Sequence, residues 1–204
     1  MKKEKEIMDV VFILDRSGSM SGLESDTIGG YNSYLKGMKE KNARVTTVLF
    51  DDKYEIINKR TLIKEVKELD NKTYFTRGST ALLDAIGKTI SYLDEVNPKK
   101  VLFIITTDGY ENSSRNFNKN QIKELIMGHS NWEFIYLGAD IDSYSEASSI
   151  GISSSRTSNF SKSKIGVKKL FSNLMELSSL YEEKDCINND WKDGLDDYIN
   201  NSKN

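Results

Sequence analysis

Val10-Val11-Phe12-Ile13-Leu14-Asp15-Arg16-Ser17-Gly18-Ser19-Met20 is an apolar run that ends abruptly in an acid and two hydroxyls spaced two apart. The run reads as a strand buried on both faces, as in a parallel sheet. Asp15, Ser17 and Ser19 then fall in the loop at the strand's carboxyl end, the edge where open parallel sheets bind ligands. A carboxylate with alternating hydroxyls is a hard, all-oxygen donor set. It suits Mg²⁺ or Mn²⁺ and suits Zn²⁺ poorly.

Working outward, strands alternate with helices. Residues 9–14 form the first strand, 23–39 a helix, and 44–50 a second strand rich in Val and Thr. Asp51-Asp52-Lys53 makes a turn, so Tyr54 to Ile57 returns as an antiparallel strand. A short helix is expected over Leu62 to Leu69. Gly78-Ser79-Thr80 opens the next helix, whose Leu82, Leu83, Ile86, Ile90 and Leu93 recur at helical spacing until Asn97-Pro98 stops it. Residues 101–106 are a second buried strand, again followed by an acid, Asp108. A helix over 119–127, a buried strand over 132–137 and a short helix over 143–149 follow. Residues 152–158 read as a polar edge strand. The last strong helix, 164–181, carries a stripe of Val167, Leu170, Phe171, Leu174, Leu177 and Leu180 that reads as core packing. This alternation predicts an α/β fold: a doubly wound, mostly parallel central sheet, helices on both faces and one antiparallel edge strand. We expect one domain over residues 1–186 and a polar tail over 187–204, in which Trp191, Leu195, Tyr198 and Ile199 have the pattern of a short docking helix.

At 204 residues the chain is long enough for one well-buried core. With 29 basic and 31 acidic residues its formal net charge is −2, so no global field points to nucleic acid or membrane. The Lys2 to Lys5 cluster reads as a solvated terminus. The only cysteine, Cys186, excludes an intrachain disulfide and fits a reducing compartment. The apolar run after the basic N-terminus is too short for a signal peptide or a membrane span. A soluble, cytoplasmic protein is expected.

Three segments end at one edge of the expected sheet: Asp15-Arg16-Ser17-Gly18-Ser19, then Thr80 after Arg77-Gly78-Ser79, then Asp108-Gly109 after Ile105-Thr106-Thr107. Singly each is ordinary; a Gly-Ser-Thr turn before a helix can be an N-cap. In this order they resemble the von Willebrand factor A domain family and its metal-ion-dependent adhesion site (MIDAS), whose pattern is Asp-x-Ser-x-Ser, a distant Thr, and a distant Asp followed by Gly. The flanking Leu83-Asp84 and Glu111-Asn112 also match, and the resemblance runs from about Met8 to Tyr181.

The resemblance implies that Ser17 and Ser19 ligate Mg²⁺ or Mn²⁺ through their hydroxyls. Thr80 would join them in the ligand-bound state, while Asp15 and Asp108 hold the metal's waters. A shell of neutral hydroxyls leaves the cation with charge to attract a Glu or Asp from a partner protein. The chain resembles the intracellular bacterial type, implying an adaptor, with an AAA-type ATPase system as candidate partner. It also implies a last helix that moves on ligand binding. Arg16, Arg77, Tyr110, Glu111 and Asp140 are expected around the site as selectivity residues. Asp84 is expected to act on the helix dipole, and Asp51 and Asp52 in the hairpin turn.

Enzyme readings fare worse. Gly18-Ser19-Met20-Ser21-Gly22 puts Met20 where a nucleophile elbow needs serine. The single histidine, His129, precedes the strand at Trp132 and belongs at the opposite edge, far from a triad. P-loop and dinucleotide fingerprints are missing. A Mg²⁺-dependent hydrolase or phosphotransferase with Asp15 as nucleophile is the alternative; Ser17 stands where its general acid would be. We therefore expect a binding module and no enzyme.

Overall fold

The structure, a computed structural model, describes residues 6–195. Its six-stranded sheet has the order β3-β2-β1-β4-β5-β6. The strands are β1 (Met8–Asp15), β2 (Ala43–Phe50), β3 (Tyr54–Leu62), β4 (Val101–Thr107), β5 (Trp132–Gly138) and β6 (Thr157–Asn159). All neighbours pair in parallel except β2 and β3. The helices are α1 (Glu24–Met38), α2 (Leu82–Val96), α3 (Lys119–Gly128), α4 (Ser143–Ser149) and α5 (Lys164–Lys184). This is the doubly wound α/β architecture expected from the alternation.

The central position of β1 explains its composition. Val10, Phe12 and Leu14 belong to a core shared with α1 and α5, whereas Val11 and Ile13 belong to a core shared with α2 and α3. Period-2 alternation sends successive side chains to opposite faces, and both faces are covered. Each such side chain contributes about 1.5–3 kcal/mol by leaving water. On the α1 side, Phe12 meets Tyr31 and Tyr34 edge-on, at centroid distances of 5.3 and 4.9 Å. Both buried phenols are satisfied, Tyr31 by Thr47 (2.6 Å) and Tyr34 by Ser178 (2.8 Å).

The chain leaves β1 for β2 on one side, and β4 lies on the other side. The carboxyl ends of β1 and β4 therefore flank the topological switch point, where the diverging connections open a crevice. Asp15 ends β1 and Asp108 follows β4.

Two elements differ from the sequence expectation. Residues 62–69 are not a helix: β3 runs on to Leu62, a 3-10 turn covers Ile63–Glu65, and the rest is irregular. Only Ile63 and Leu69 are buried there, and the Asn32 side chain clamps both backbone groups of Leu69. Two anchors and a side-chain clamp replace the stripe that a helix would bury. The edge strand expected over 152–158 is reduced to Thr157–Asn159, because Ser154–Arg156 curl into a 3-10 turn from which Arg156 pairs with Glu133 (2.7 Å).

Beyond α5, Trp191 and Leu195 are buried in the α1/α5-side core. The indole N–H of Trp191 donates to the Ser155 carbonyl (2.9 Å), and Lys192 Nζ donates to the carbonyls of Ser154 and Thr157. Lys100 pairs with Asp185, the left-handed C-cap of α5, and donates to the Glu182 carbonyl. Tyr198, Ile199 and the Lys2 to Lys5 cluster lie outside the described residues. Among the described residues no helix is long and apolar enough to cross a membrane.

Candidate metal centre

Backbone hydrogen bonds sew the three motif segments together. The Gly18 N–H donates to the Gly78 carbonyl (3.1 Å), and the Arg77 N–H to the Arg16 carbonyl (2.9 Å). The N–H groups of Asn112 and Ser113 both donate to the Thr80 carbonyl. The Thr80 N–H in turn donates to Asn112 Oδ1 (3.0 Å). Gly78 has φ +66°, a conformation that favours glycine, and its missing side chain leaves room for Asp52.

Asp15 is fully buried and its carboxylate is fixed at both oxygens. Oδ1 accepts the Ser17 N–H (2.6 Å), and Oδ2 accepts the Thr107 hydroxyl (2.6 Å). The Tyr74 hydroxyl donates to the Asp15 carbonyl from beneath (2.5 Å). Burial pushes the Asp15 carboxyl up to about 6, against the pull of the Thr107 and Ser17 hydrogen bonds; the neighbouring Asp108 charge adds to the rise.

The hydroxyls line up toward the second acid. Ser19 Oγ donates to Asp108 Oδ1 (2.6 Å), and Ser17 Oγ lies 3.0 Å from Ser19 Oγ. With the Ser19 proton committed to Asp108, Ser17 is the donor of that pair. A Cβ at Gly109 would stand 2.9 Å from Thr80 Oγ1 and 3.2 Å from Ser19 Oγ, so glycine leaves the space into which both hydroxyls project. Ser17, Ser19, Thr80, Asp15 and Asp108 thus gather around one spot at the switch point. Gly18 and Ser19 are exposed, and Tyr110 beside them is 53 % exposed. The second oxygen of Asp108, Oδ2, is buried and accepts no hydrogen bond; Lys162 Nζ lies 2.7 Å away at angles outside hydrogen-bond geometry.

These oxygens fit a small divalent cation. Two carboxylates and three hydroxyls offer hard donors, one buried carboxylate oxygen lacks a hydrogen bond, and glycine keeps the cradle open. Among the described residues there is no cluster of three or more His, Cys, Asp or Glu suited to a metal.

Several expected rim residues are structural instead. Arg16 is 1 % exposed; its Nε pairs with Asp51 (2.8 Å) and its other arm with Glu55 (2.9 Å). Arg77 also binds Asp51 (2.7 Å). Burial alone would raise Asp51, but hydrogen bonds from Arg77, the Lys53 N–H and Arg16 outweigh it and hold the carboxyl below its usual range. Asp51 is therefore both the hairpin-turn residue expected and the anchor of two arginines. Glu111 accepts the N–H groups of Leu83, Ser113 and Ser114 and the Ser114 hydroxyl, capping α2 from a neighbouring loop. The Gly-Ser-Thr turn is not an N-cap: Ala81 holds that position without a side-chain cap. Asp84 stands in the first turn of α2 as expected, and its carboxylate also accepts the N–H groups of Arg115, Asn116 and Phe117, which ties that loop to α2. Tyr110 and Asp140 remain exposed at the mouth. His129 caps α3, contacting the Leu125 carbonyl and Asp94.

Sequence reasoning missed Thr107 and Lys162. The first had a signal, a hydroxyl ending the strand beside β1. The second had none, since only the β6-to-α5 connection brings it to Asp108.

No family model and no curated protein matches the chain. Solved structures do. Proximal thread matrix protein 1 from the mussel byssus, with a zinc-occupied MIDAS motif, matches with TM-score 0.60 and 16% identity over 85% of this chain and 46% of that one. A von Willebrand factor type A protein from Catenulispora acidiphila matches with TM-score 0.60 and 15% identity over 85% of this chain and 43% of that one. Manganese-loaded TRAP protein of Plasmodium vivax matches with TM-score 0.58 and 17% identity over 82% of this chain and 74% of that one. The chain spans about half the length of the first two. Likeness at these identities is a likeness of fold, and the fold of this chain is that of a von Willebrand factor A domain.

Proposed function

We propose that this chain is a metal-dependent protein interaction module. Asp15, Ser17, Ser19, Thr80 and Asp108 hold a divalent cation, which captures a Glu or Asp of a partner protein. The observation that carries this reading is the line of hydroxyls from Ser17 through Ser19 to Asp108, with Asp15 fixed alongside and Thr80 facing the same space. When bound, the cation supplies Lewis acidity toward an incoming carboxylate. Ser17, Ser19 and Thr80 would touch it directly, and the two acids would hold its waters and balance its charge. Support for a metal also comes from the zinc and the manganese named in two structures of this fold. Donor hardness favours Mg²⁺ or Mn²⁺ here, while zinc in the mussel protein keeps other divalent ions in the comparison.

The site is framed for binding. Asp15 is buried and each of its oxygens already accepts a hydrogen bond, so the carboxylate is held in place and has no exposed surface from which to attack a substrate. We read the module as a cytoplasmic adaptor, with no nucleic-acid or membrane partner and an AAA-type ATPase system as candidate. That part rests on the near-neutral charge and on the resemblance of the motifs.

Calorimetric titration of Mg²⁺ and then Mn²⁺ into metal-stripped protein tests the reading, with Asp15→Ala alongside. One cation bound by the wild type and none by the variant is expected. Equal binding by both would move the metal elsewhere, and no binding by either would remove the site.

A further inference from the structure

Lys162 stands one residue before Ser163, the N-cap of α5, whose hydroxyl accepts the Gly166 N–H (3.1 Å). Two residues earlier, Phe160 is buried and its N–H donates to the Gly138 carbonyl (2.9 Å). This short connection is therefore anchored on both sides of Lys162. From it the side chain reaches across the end of the sheet and sets Nζ 2.7 Å from Asp108 Oδ2 and 3.9 Å from Asp140 Oδ2.

The contact is selective. Asp108 Oδ1 is taken by Ser19, whereas Oδ2, buried and without a hydrogen bond, faces only the ammonium. An ion pair without hydrogen-bond geometry neutralises charge without fixing position. The Lys162 side chain keeps 27% of its surface exposed, so it can swing out to water once another cation takes its place beside the fully buried Asp108 carboxylate.

We infer that Lys162 is a built-in counter-cation that competes with the divalent metal for Asp108 and so sets the metal affinity of the site. The inference rests on the metal-binding reading above. Two carboxylates converge at the site, Asp15 and Asp108 being joined through Ser17 and Ser19, and like charges this close repel each other. A positive charge at Asp108 relieves that repulsion; a divalent cation among the same oxygens relieves it more strongly and repels the ammonium. Arrival of the metal then requires Lys162 to leave. The metal's net affinity is its intrinsic affinity reduced by the cost of that displacement. This lysine therefore acts on affinity by its charge, at the same Asp108 carboxylate that the metal draws on.

Calorimetric titration of Mn²⁺ into metal-stripped wild type, Lys162→Met, Lys162→Gln and Lys162→Arg tests this, with Asp15→Ala as the blank. Met and Gln are expected to tighten binding by about tenfold, and Arg to stay near wild type, because charge is the variable. Circular dichroism melts confirm that each variant folds, and Gln serves if Met does not. Binding by Met or Gln without binding by the wild type supports the inference in its strongest form. Met and Gln that bind no tighter than a binding wild type overturn it and leave the metal site standing. Arg that tightens binding as much as Met overturns it too, since packing rather than charge would then be at work. If no protein binds, the metal reading falls and the inference with it.

Discussion

Thr107 Oγ1 donates to Asp15 Oδ2 at 2.6 Å, so the last residue of β4 holds the last residue of β1 across the switch point. The hydroxyl also accepts the Gly109 N–H (3.2 Å), which ties the bend after Asp108 to the same atom. Thr107→Val keeps the shape and removes the donor. We expect a stability loss of about 1–3 kcal/mol in urea unfolding, because a buried carboxylate oxygen loses its partner. Metal affinity should fall as well, since the unpaired carboxyl ionises less readily. Unchanged stability would show that Asp15 finds another donor.

Acidity should act on the site in a defined direction. Asp15 titrates near 6 in the fold and near 3.8 as a free side chain. The folded chain therefore takes this proton more readily than the unfolded chain. The group's contribution to stability falls as pH rises from about 4 to 6, by about 3 kcal/mol. In metal-stripped protein, Asp15→Asn should abolish this component of the pH dependence, read by urea unfolding at pH 4, 5, 6 and 7. Cation binding needs the carboxylate, so affinity should drop on acidification from pH 7 to pH 5.

Gly109→Ala probes the cradle. The added methyl would stand within 3.2 Å of the Thr80 and Ser19 hydroxyls, so those side chains or the Gly109 backbone must shift. We expect a folded protein whose Mn²⁺ affinity is weaker by at least about tenfold, because small ions tolerate misplaced oxygens poorly. Wild-type affinity in a titration would place Thr80 outside the metal's reach.

Glu111→Ala removes a cap from the start of α2. Its carboxylate serves the N–H groups of Leu83, Ser113 and Ser114. Loss of about 1–2 kcal/mol is expected in thermal or urea unfolding. A variant as stable as wild type would mean that water replaces the carboxylate at the start of α2.

The sheet was legible because its centre is simple. β1, β4 and β5 are apolar runs buried on both faces, and the acids at the ends of β1 and β4 stand out against them. The five motif residues were legible for a related reason, as each follows or precedes an element whose pattern is strong. What could not be read depends on pairing across the fold. Arg16 sits within the motif like a rim residue, yet Asp51 and Glu55 draw it inside. Asp84 sits in a helix's first turn, yet its partners are backbone groups some thirty residues on. Residues 62–69 carry apolar residues enough for a helix, but the Asn32 clamp on Leu69 is a tertiary contact.

The fastening at the far end of α5 has a mechanical consequence. Lys100 grips Asp185 and the Glu182 carbonyl, Tyr181 packs its ring 4.8 Å from the Lys100 ammonium, and Trp191 is pinned to the rim of the sheet through Ser155. The near end is held as well, by buried Phe160 before Lys162 and by the Ser163 cap and buried Val167 after it. A 21-residue rod fastened at both ends keeps its position against the sheet, so what Lys162 gains in reach it gains through its own flexible side chain.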